Sequence, residues 1–238
     1  MISRRKALLQ TAAQAALIGA AAAFVIVEHA SAAQKVGSAK DVVNQAWGTP
    51  PDEGRAELAV ESPVHRNELL ETGDESAVEV IFVDESKITM GQKARITVDE
   101  FVYADPATSK SVINLTKGAF RYVSGKMAED KVTLKTPTAT MVIRGTELKI
   151  DVADDGQTEV SVLEGAIEMT SLIAGTALSI ATGQSGLLNG SGAFQGGVRN
   201  FIHESPDSAI EVGLDELRSR LPVPSVPGVP GIPDLPFP

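Results

Sequence analysis

The feature that most limits the fold of this chain is the series of short β-type segments that fills residues 36–198. These segments are rich in Val, Ile and Thr, and Gly, Asp or Asn separates one from the next. Residues 147–152 and 158–162 both alternate apolar with polar side chains, and an Asp-Asp-Gly sequence between them supplies the turn of a hairpin. Helical periodicity is nearly absent over the same stretch. The sequence therefore predicts a mainly β domain.

Two further patterns indicate how the strands are arranged. Residues 77–83 and 87–90 are apolar runs joined by an Asp-Glu-Ser turn, which predicts a second hairpin. Glycine turns then recur at intervals of roughly ten residues and separate short rungs at residues 166–169, 178–181 and 186–188. Such spacing is typical of a solenoid-like stack or a sandwich of short antiparallel strands. With 43% hydrophobic residues, the chain can bury a substantial core.

Helical signals are confined to the C-terminal part. Ser205 suits an N-cap, Pro206 suits the first helical position, and apolar residues then recur at helical spacing, which predicts one amphipathic helix over residues 205–221. Residues 222–238 are rich in proline, and from Pro227 onward a proline stands at every third position, as in a polyproline II helix. This tail is expected to dock into an aromatic-lined groove, to act as a stiff spacer, or to pack onto its own domain.

The N-terminus has the layout of a signal peptide. A basic Ser-Arg-Arg-Lys start at residues 3–6 precedes an apolar run over 7–27 and an Ala-Ser-Ala end, which predicts cleavage between Ala32 and Ala33. The paired arginines resemble a twin-arginine export signal. Ordinary Sec export and an uncleaved membrane anchor stay open, since about 20 apolar residues can span a bilayer. The expected location is periplasmic or secreted, with no integral span in the mature chain.

These patterns together predict four parts. They are a signal peptide over residues 1–32, a β domain over 33–204, a helix over 205–221 and a Pro-rich tail over 222–238.

The charge of the mature chain excludes one class of partner. After residue 32 the chain carries 18 basic and 30 acidic residues, and no basic stripe follows Lys6. Nucleic-acid binding depends on Lys and Arg that neutralise phosphates, so we expect no nucleic-acid partner. The absence of cysteine removes disulfides, thiol nucleophiles and thiolate metal sites together.

No residues stand in a catalytic or metal-binding motif. His65 and His203 each lack a second ligand at i+2 or i+4 that would place two side chains on one metal. Residues 183–186 superficially resemble a nucleophile elbow, but the second glycine is not at the required position and no helix is expected to follow. Carboxylate pairs such as Glu164 and Glu168 occur, but one Trp in the whole chain does not make the aromatic cleft of a glycosidase. We expect no enzyme activity, no cofactor and no metal.

Several segments resemble the motifs of FecR domains and follow one another in that family's order. The most recognisable is residues 135–148, where Thr-Pro-Thr-Ala precedes Arg-Gly-Thr and an alternating strand. The other segments look like the family's Thr-Gly-x-x-Ser-x-Ala turn, its Asp-Gly-Ser turn, its central Gly-x-Phe-Arg element and its closing rung, at residues 70–77, 83–86, 116–125 and 162–167.

The resemblance covers residues 60–188 and implies a FecR-like β domain. The family's best-studied members sense iron uptake across the envelope and control a sigma factor through a cytoplasmic segment ahead of a transmembrane helix. Only six residues precede the apolar run here, so the chain is expected to resemble the extracytoplasmic domain alone. We expect a non-enzymatic, exported binding or interaction module whose partner is a protein or a cell-envelope component. Two alternatives stay open: an envelope regulator in iron-linked signalling that acts through a separate membrane partner, and a carbohydrate- or peptidoglycan-binding module.

The candidate interaction residues are Arg144, Gly145 and Thr146 of the Arg-Gly-Thr motif, together with Arg121. A glycine beside an arginine lets another backbone approach a guanidinium with five N–H donors, which favours recognition. In the structural interpretation, Gly145 allows a bulge or corner and Arg144 satisfies carbonyls or a carboxylate inside the turn. Arg121 has the same two interpretations.

Overall fold

Strands account for almost all regular structure in the part of the chain that a computed structural model describes, residues 33–104 and 108–200. One 3-10 turn at Glu129–Lys131 is the only helical element in those two stretches. The mainly β fold class is therefore confirmed. The strands are β1 (Lys35–Val43), β2 (Ala46–Thr49), β3 (Ala56–Glu57), β4 (Pro63–His65), β5 (Leu69–Thr72), β6 (Ala77–Phe82), β7 (Lys87–Met90), β8 (Arg95–Val102), β9 (Lys110–Val123), β10 (Val132–Lys135), β11 (Ala139–Val152), β12 (Thr158–Ser171), β13 (Ala177–Ala181), β14 (Gln184–Leu188) and β15 (Arg199–Asn200).

These strands belong to one hydrogen-bonded sheet, in which described neighbours run antiparallel except for β9 and β10. The main path has the order β15-β14-β12-β11-β10-β9-β7-β6-β1-β4. A branch leaves β9 through β8 to β5, β2 and β3, and β13 adds to β12. Both predicted hairpins are present, because β6 pairs with β7 and β11 pairs with β12.

Three strands, β9, β11 and β12, have 14 residues each and are the longest in the sheet. Each changes partner along its length. β11 pairs with β10 through residues 140–142 and with β9 through residues 147–152. β12 pairs with β14 through residues 158–162 and with β13 through residues 166–170. Each long strand is therefore paired with different neighbours at its two ends.

A single large cluster of buried hydrophobic side chains forms the core, and its residues come from strands β1 through to β14. Alternate residues of β8 and β11 are buried, as the period of two along a strand requires. Tyr122, Phe101 and Phe120 are among the largest fully buried side chains. The rings of Phe82 and Phe101 stack with their centroids 5.0 Å apart. Burial of each such side chain stabilises the fold by about 1.5–3 kcal/mol relative to exposure.

Several predicted segments lie outside the described residues. They are the signal peptide at residues 1–32, the C-terminal helix at 205–221 and the Pro-rich tail at 222–238. Among the residues that are described, no helix is long and apolar enough to cross a membrane. The domain boundaries that depend on these segments stay predictions.

Candidate functional site

The Arg-Gly-Thr motif forms a bulge in the middle of β11. Gly145 has a φ of 58°, in the left-handed region that favours glycine, and the register against β12 shifts between Arg144 and Glu147. Gly165 of β12 has a φ of 82°, and a Cβ added to it would stand 2.1 Å from the carbonyl oxygen of Gly145. The two backbones approach more closely here than any side chain would allow. Gly145 thus lies in the bulge that its structural interpretation expects.

A chain of polar groups supports the Thr146 end of this bulge. The Thr146 N–H donates to Ser124 Oγ, and the Ser124 N–H donates to the Thr146 carbonyl oxygen, with a donor–acceptor distance of 2.9 Å in each case. The Tyr122 hydroxyl lies beside the side chains of Ser86 and Ser124, and burial raises the pKa of Tyr122 above its usual range. Asp84 Oδ1 then accepts the Ser86 N–H at 3.0 Å and its hydroxyl at 2.6 Å. The chain therefore ties the turn between β6 and β7 to the bulge.

The two candidate arginines lie in different environments. Arg121 on β9 donates from Nε and Nη2 to Glu147 Oε1 at 3.1 and 2.7 Å, and the two side chains are 16% and 23% exposed. The pair links β9 to β11, and removal of Arg121 would leave the carboxylate of Glu147 poorly solvated. The Arg144 side chain is exposed and has no hydrogen bond or ion pair with any described residue. The expected contact of Arg144 inside the turn is thus absent from the described structure.

A cationic groove of about 170 Å³ lies beside β5, β8 and β9. Its charged lining consists of four cations and one carboxylate, namely Arg55, Lys93, Arg95, Lys117 and Glu71. Sequence reasoning missed this groove because its residues come from separate segments and form no local motif. The register between strands, which no spacing along the chain reveals, is what brings them together.

A second, wider concavity of about 500 Å³ lies beside β4, β8, β9 and β10. Its charged residues have both signs, and they are Arg66, Asp99, Glu100, Lys110 and Lys135. Lys110 Nζ lies 2.8 Å from Glu100 Oε2, so part of the positive charge is neutralised within the concavity. This mixed lining selects ligand charge less strongly than the cationic groove does.

His65 contacts a buried carboxylate. Its backbone N–H donates to Glu68 Oε2 at 2.6 Å, and its ring Nδ1 lies 3.1 Å from the same oxygen. Glu68 is only 1% exposed, and burial raises the pKa of its carboxyl, while the hydrogen bonds from His65 oppose that rise. Residues 33–104 and 108–200 contain no group of three or more His, Asp or Glu side chains that could hold a metal. The pair instead fixes the connection between β4 and β5.

The segment that resembled a nucleophile elbow lies between two strands. Gly183, with a φ of 77°, follows β13, and Ser185 on β14 pairs with Ser161 and Arg199 on its two sides. A nucleophile elbow needs a turn from a strand into a helix, with the serine exposed at its top. Ser185 is buried in a sheet, so this segment lacks the geometry of a serine hydrolase.

Comparison with known proteins identifies one family in the sequence. The FecR protein family matches residues 68–168. No curated protein matches the chain. Two crystal structures of a proposed anti-sigma factor from Parabacteroides distasonis ATCC 8503 are similar in fold, with TM-scores of 0.47 and 0.46 and sequence identities of 12% and 13%. Each match covers 56% of this chain and 59% of the other, so the chain spans less than two thirds of those structures.

Proposed function

Because residues 68–168 are a FecR domain, we propose that the protein is a non-enzymatic regulator whose β domain binds a protein partner in the cell envelope. The family is regulatory rather than catalytic, and the residues that most resembled catalytic groups have structural surroundings. The His65 ring is hydrogen-bonded to the Glu68 carboxyl group, and Ser185 is buried within the sheet. These surroundings support a binding role.

The observation that carries the proposal is the exposed Arg144 on a firmly held bulge. Its backbone is fixed by the close approach of Gly145 to Gly165 and by the paired hydrogen bonds of Thr146. Its guanidinium has no partner among the described residues, so its donors remain for carboxylates or carbonyls of another protein. Arginine is enriched among the residues that dominate interface energies, and a rigid scaffold lowers the entropic cost of binding.

The proposed place of action is the periplasm. The support for this is the basic start, the apolar run and the Ala-Ser-Ala sequence that ends at Ala32. The absence of cysteine is compatible with an oxidising compartment.

Site-specific cross-linking tests the proposed partner surface. A photo-reactive amino acid is placed at position 144 of the full chain, and a matched variant carries it at position 66. Arg66 is also an exposed arginine, but it lies in the mixed-charge concavity. We expect one discrete protein adduct from position 144 in cells and no such adduct from position 66.

A second variant tests whether the guanidinium group of Arg144 itself contributes to partner binding. Arg144→Gln is expected to weaken binding of the cross-linked partner by about tenfold, as for a residue that contributes more than 1 kcal/mol to an interface. Its melting temperature should stay near that of the wild type, since the side chain is exposed and has no hydrogen bond or ion pair with a described residue. Identical adducts from positions 144 and 66, or unchanged partner binding by Arg144→Gln, would contradict the proposal.

A further inference from the structure

A row of four side chains crosses four strands, and three of the four line the cationic groove. Trp47 on β2 stands opposite Glu71 on β5, Glu71 stands opposite Arg95 on β8, and Arg95 stands opposite Lys117 on β9. Residues directly opposite each other in antiparallel strands lie on the same face with Cβ atoms about 4.5–5.5 Å apart. The four side chains are therefore neighbours on one surface, although they are far apart in sequence.

Two guanidinium groups of the groove, those of Arg95 and Arg55, are held in place before any ligand arrives. Arg95 donates from Nε and Nη2 to Glu71 Oε1 at 3.0 and 2.5 Å, and Arg55 Nε lies 3.5 Å from Glu71 Oε2. The guanidinium carbon of Arg55 also lies 4.0 Å from the centroid of the Trp47 ring. About half of each arginine side chain is exposed, at 51% and 46%. A guanidinium has five N–H donors, so donors beyond those that Glu71 accepts remain on both residues.

Two lysines complete the positive lining and are weakly held. Lys93 Nζ lies 2.6 Å from Asp74 and Lys117 Nζ lies 3.3 Å from Asp154, and both aspartates are largely exposed. Exposed ion pairs of this kind contribute little, so a ligand with more than one negative oxygen can displace the aspartates. The lysines can then turn towards the ligand at small cost.

We propose that the cationic groove is a binding site for an oxyanion, a carboxylate or phosphate group of a small ligand. Four cations face one carboxylate there, whereas the chain as a whole has a formal net charge of −10. A volume of about 170 Å³ leaves room for a phosphate or carboxylate group. Arginine forks bind both carboxylates and phosphates through paired hydrogen bonds. This site goes beyond the proposed partner surface, because it includes none of the residues of the bulge.

Titration of the full chain with inorganic phosphate and, separately, with citrate tests the site. Binding is followed by calorimetry, and the double variant Lys93→Gln/Lys117→Gln is compared with Arg66→Gln from the mixed-charge concavity. Both lysines are exposed, so the double variant is expected to keep its fold, which circular dichroism checks. We expect the double variant to bind about tenfold more weakly and Arg66→Gln to bind as the wild type does.

The two probes identify the chemistry of the ligand. Stronger binding of phosphate assigns a phosphate ligand, and stronger binding of citrate assigns a carboxylate ligand. The proposal is overturned if neither probe binds at millimolar concentration, or if Arg66→Gln weakens binding as much as the double variant does. Neither outcome affects cross-linking from position 144, so failure of the groove is distinguishable from failure of the partner surface.

Discussion

Replacing Gly165 by Ala tests whether the close approach of β12 to β11 holds the bulge in shape. The new Cβ would stand 2.1 Å from the carbonyl oxygen of Gly145 and 2.8 Å from that of Arg144. Both neighbours are backbone atoms, so they cannot move aside as the end of a flexible side chain can. The two strands must separate at the bulge, or the hydrogen bonds beside it must distort.

The expected cost has two parts. An L-residue at a φ of 82° is strained by about 1–2 kcal/mol, and overpacking of a well-packed site costs a further 1–3 kcal/mol. The variant should therefore lose about 2–5 kcal/mol of unfolding free energy. For a protein of this size that corresponds to a melting temperature lower by roughly 4–20 °C.

Gly183→Ala is the matched control, because Gly183 has a similar φ of 77° but nothing within 4 Å of an added Cβ. It should show the conformational strain alone, about 1–2 kcal/mol. Urea unfolding and thermal melting of the two variants measure the difference, which isolates the close approach of the strands. If Gly165→Ala costs no more than Gly183→Ala, the packing argument for the bulge is refuted.

Two further predictions concern pH and export. Burial raises the folded-state pKa of Glu68 above its usual value of 4.5, so the folded state holds this proton more tightly than the unfolded state does. The stability that this group contributes is present below about pH 4.5 and is lost as pH rises through the folded pKa, so Glu68→Gln should gain stability relative to wild type as the pH is raised above about 4.5. A difference in melting temperature that does not change with pH would contradict this. For export, mass spectrometry of the mature protein is expected to show an N-terminus at Ala33, and an intact Met1 in the membrane fraction would instead identify an anchor.

The hairpins were predictable because their information is local. Alternating strands on both sides of an Asp-Asp-Gly turn specify the pairing of β11 with β12 without reference to the rest of the chain. The bulge was predictable in kind, since a glycine within a strand pattern marks a bulge or a close approach. Its partner Gly165 was identified only as a turn residue, because the contact depends on the register of two long strands.

The roles of the two arginines and the existence of the groove could not be read from the sequence. Arg121 and Arg144 both lie in alternating strands, and the position of Glu147 on a neighbouring strand gives Arg121 an ion pair that Arg144 lacks among the described residues. The groove depends on pairings such as Glu71 with Arg95, which join residues 24 positions apart. Such contacts are fixed by the order of strands in the sheet, and composition and spacing carry no information about that order.

Strand β1 lies outside the segment that matches the FecR family, yet it occupies an inner position of the sheet between β6 and β4. The matching segment also ends within β12, before β13 and β14. A gene fragment cut at these limits would encode apolar strands with bare edges, and bare edges are templates for aggregation. A gene segment that encodes this domain must therefore include the flanking strands, so the unit that folds is longer than the segment that the family motifs mark.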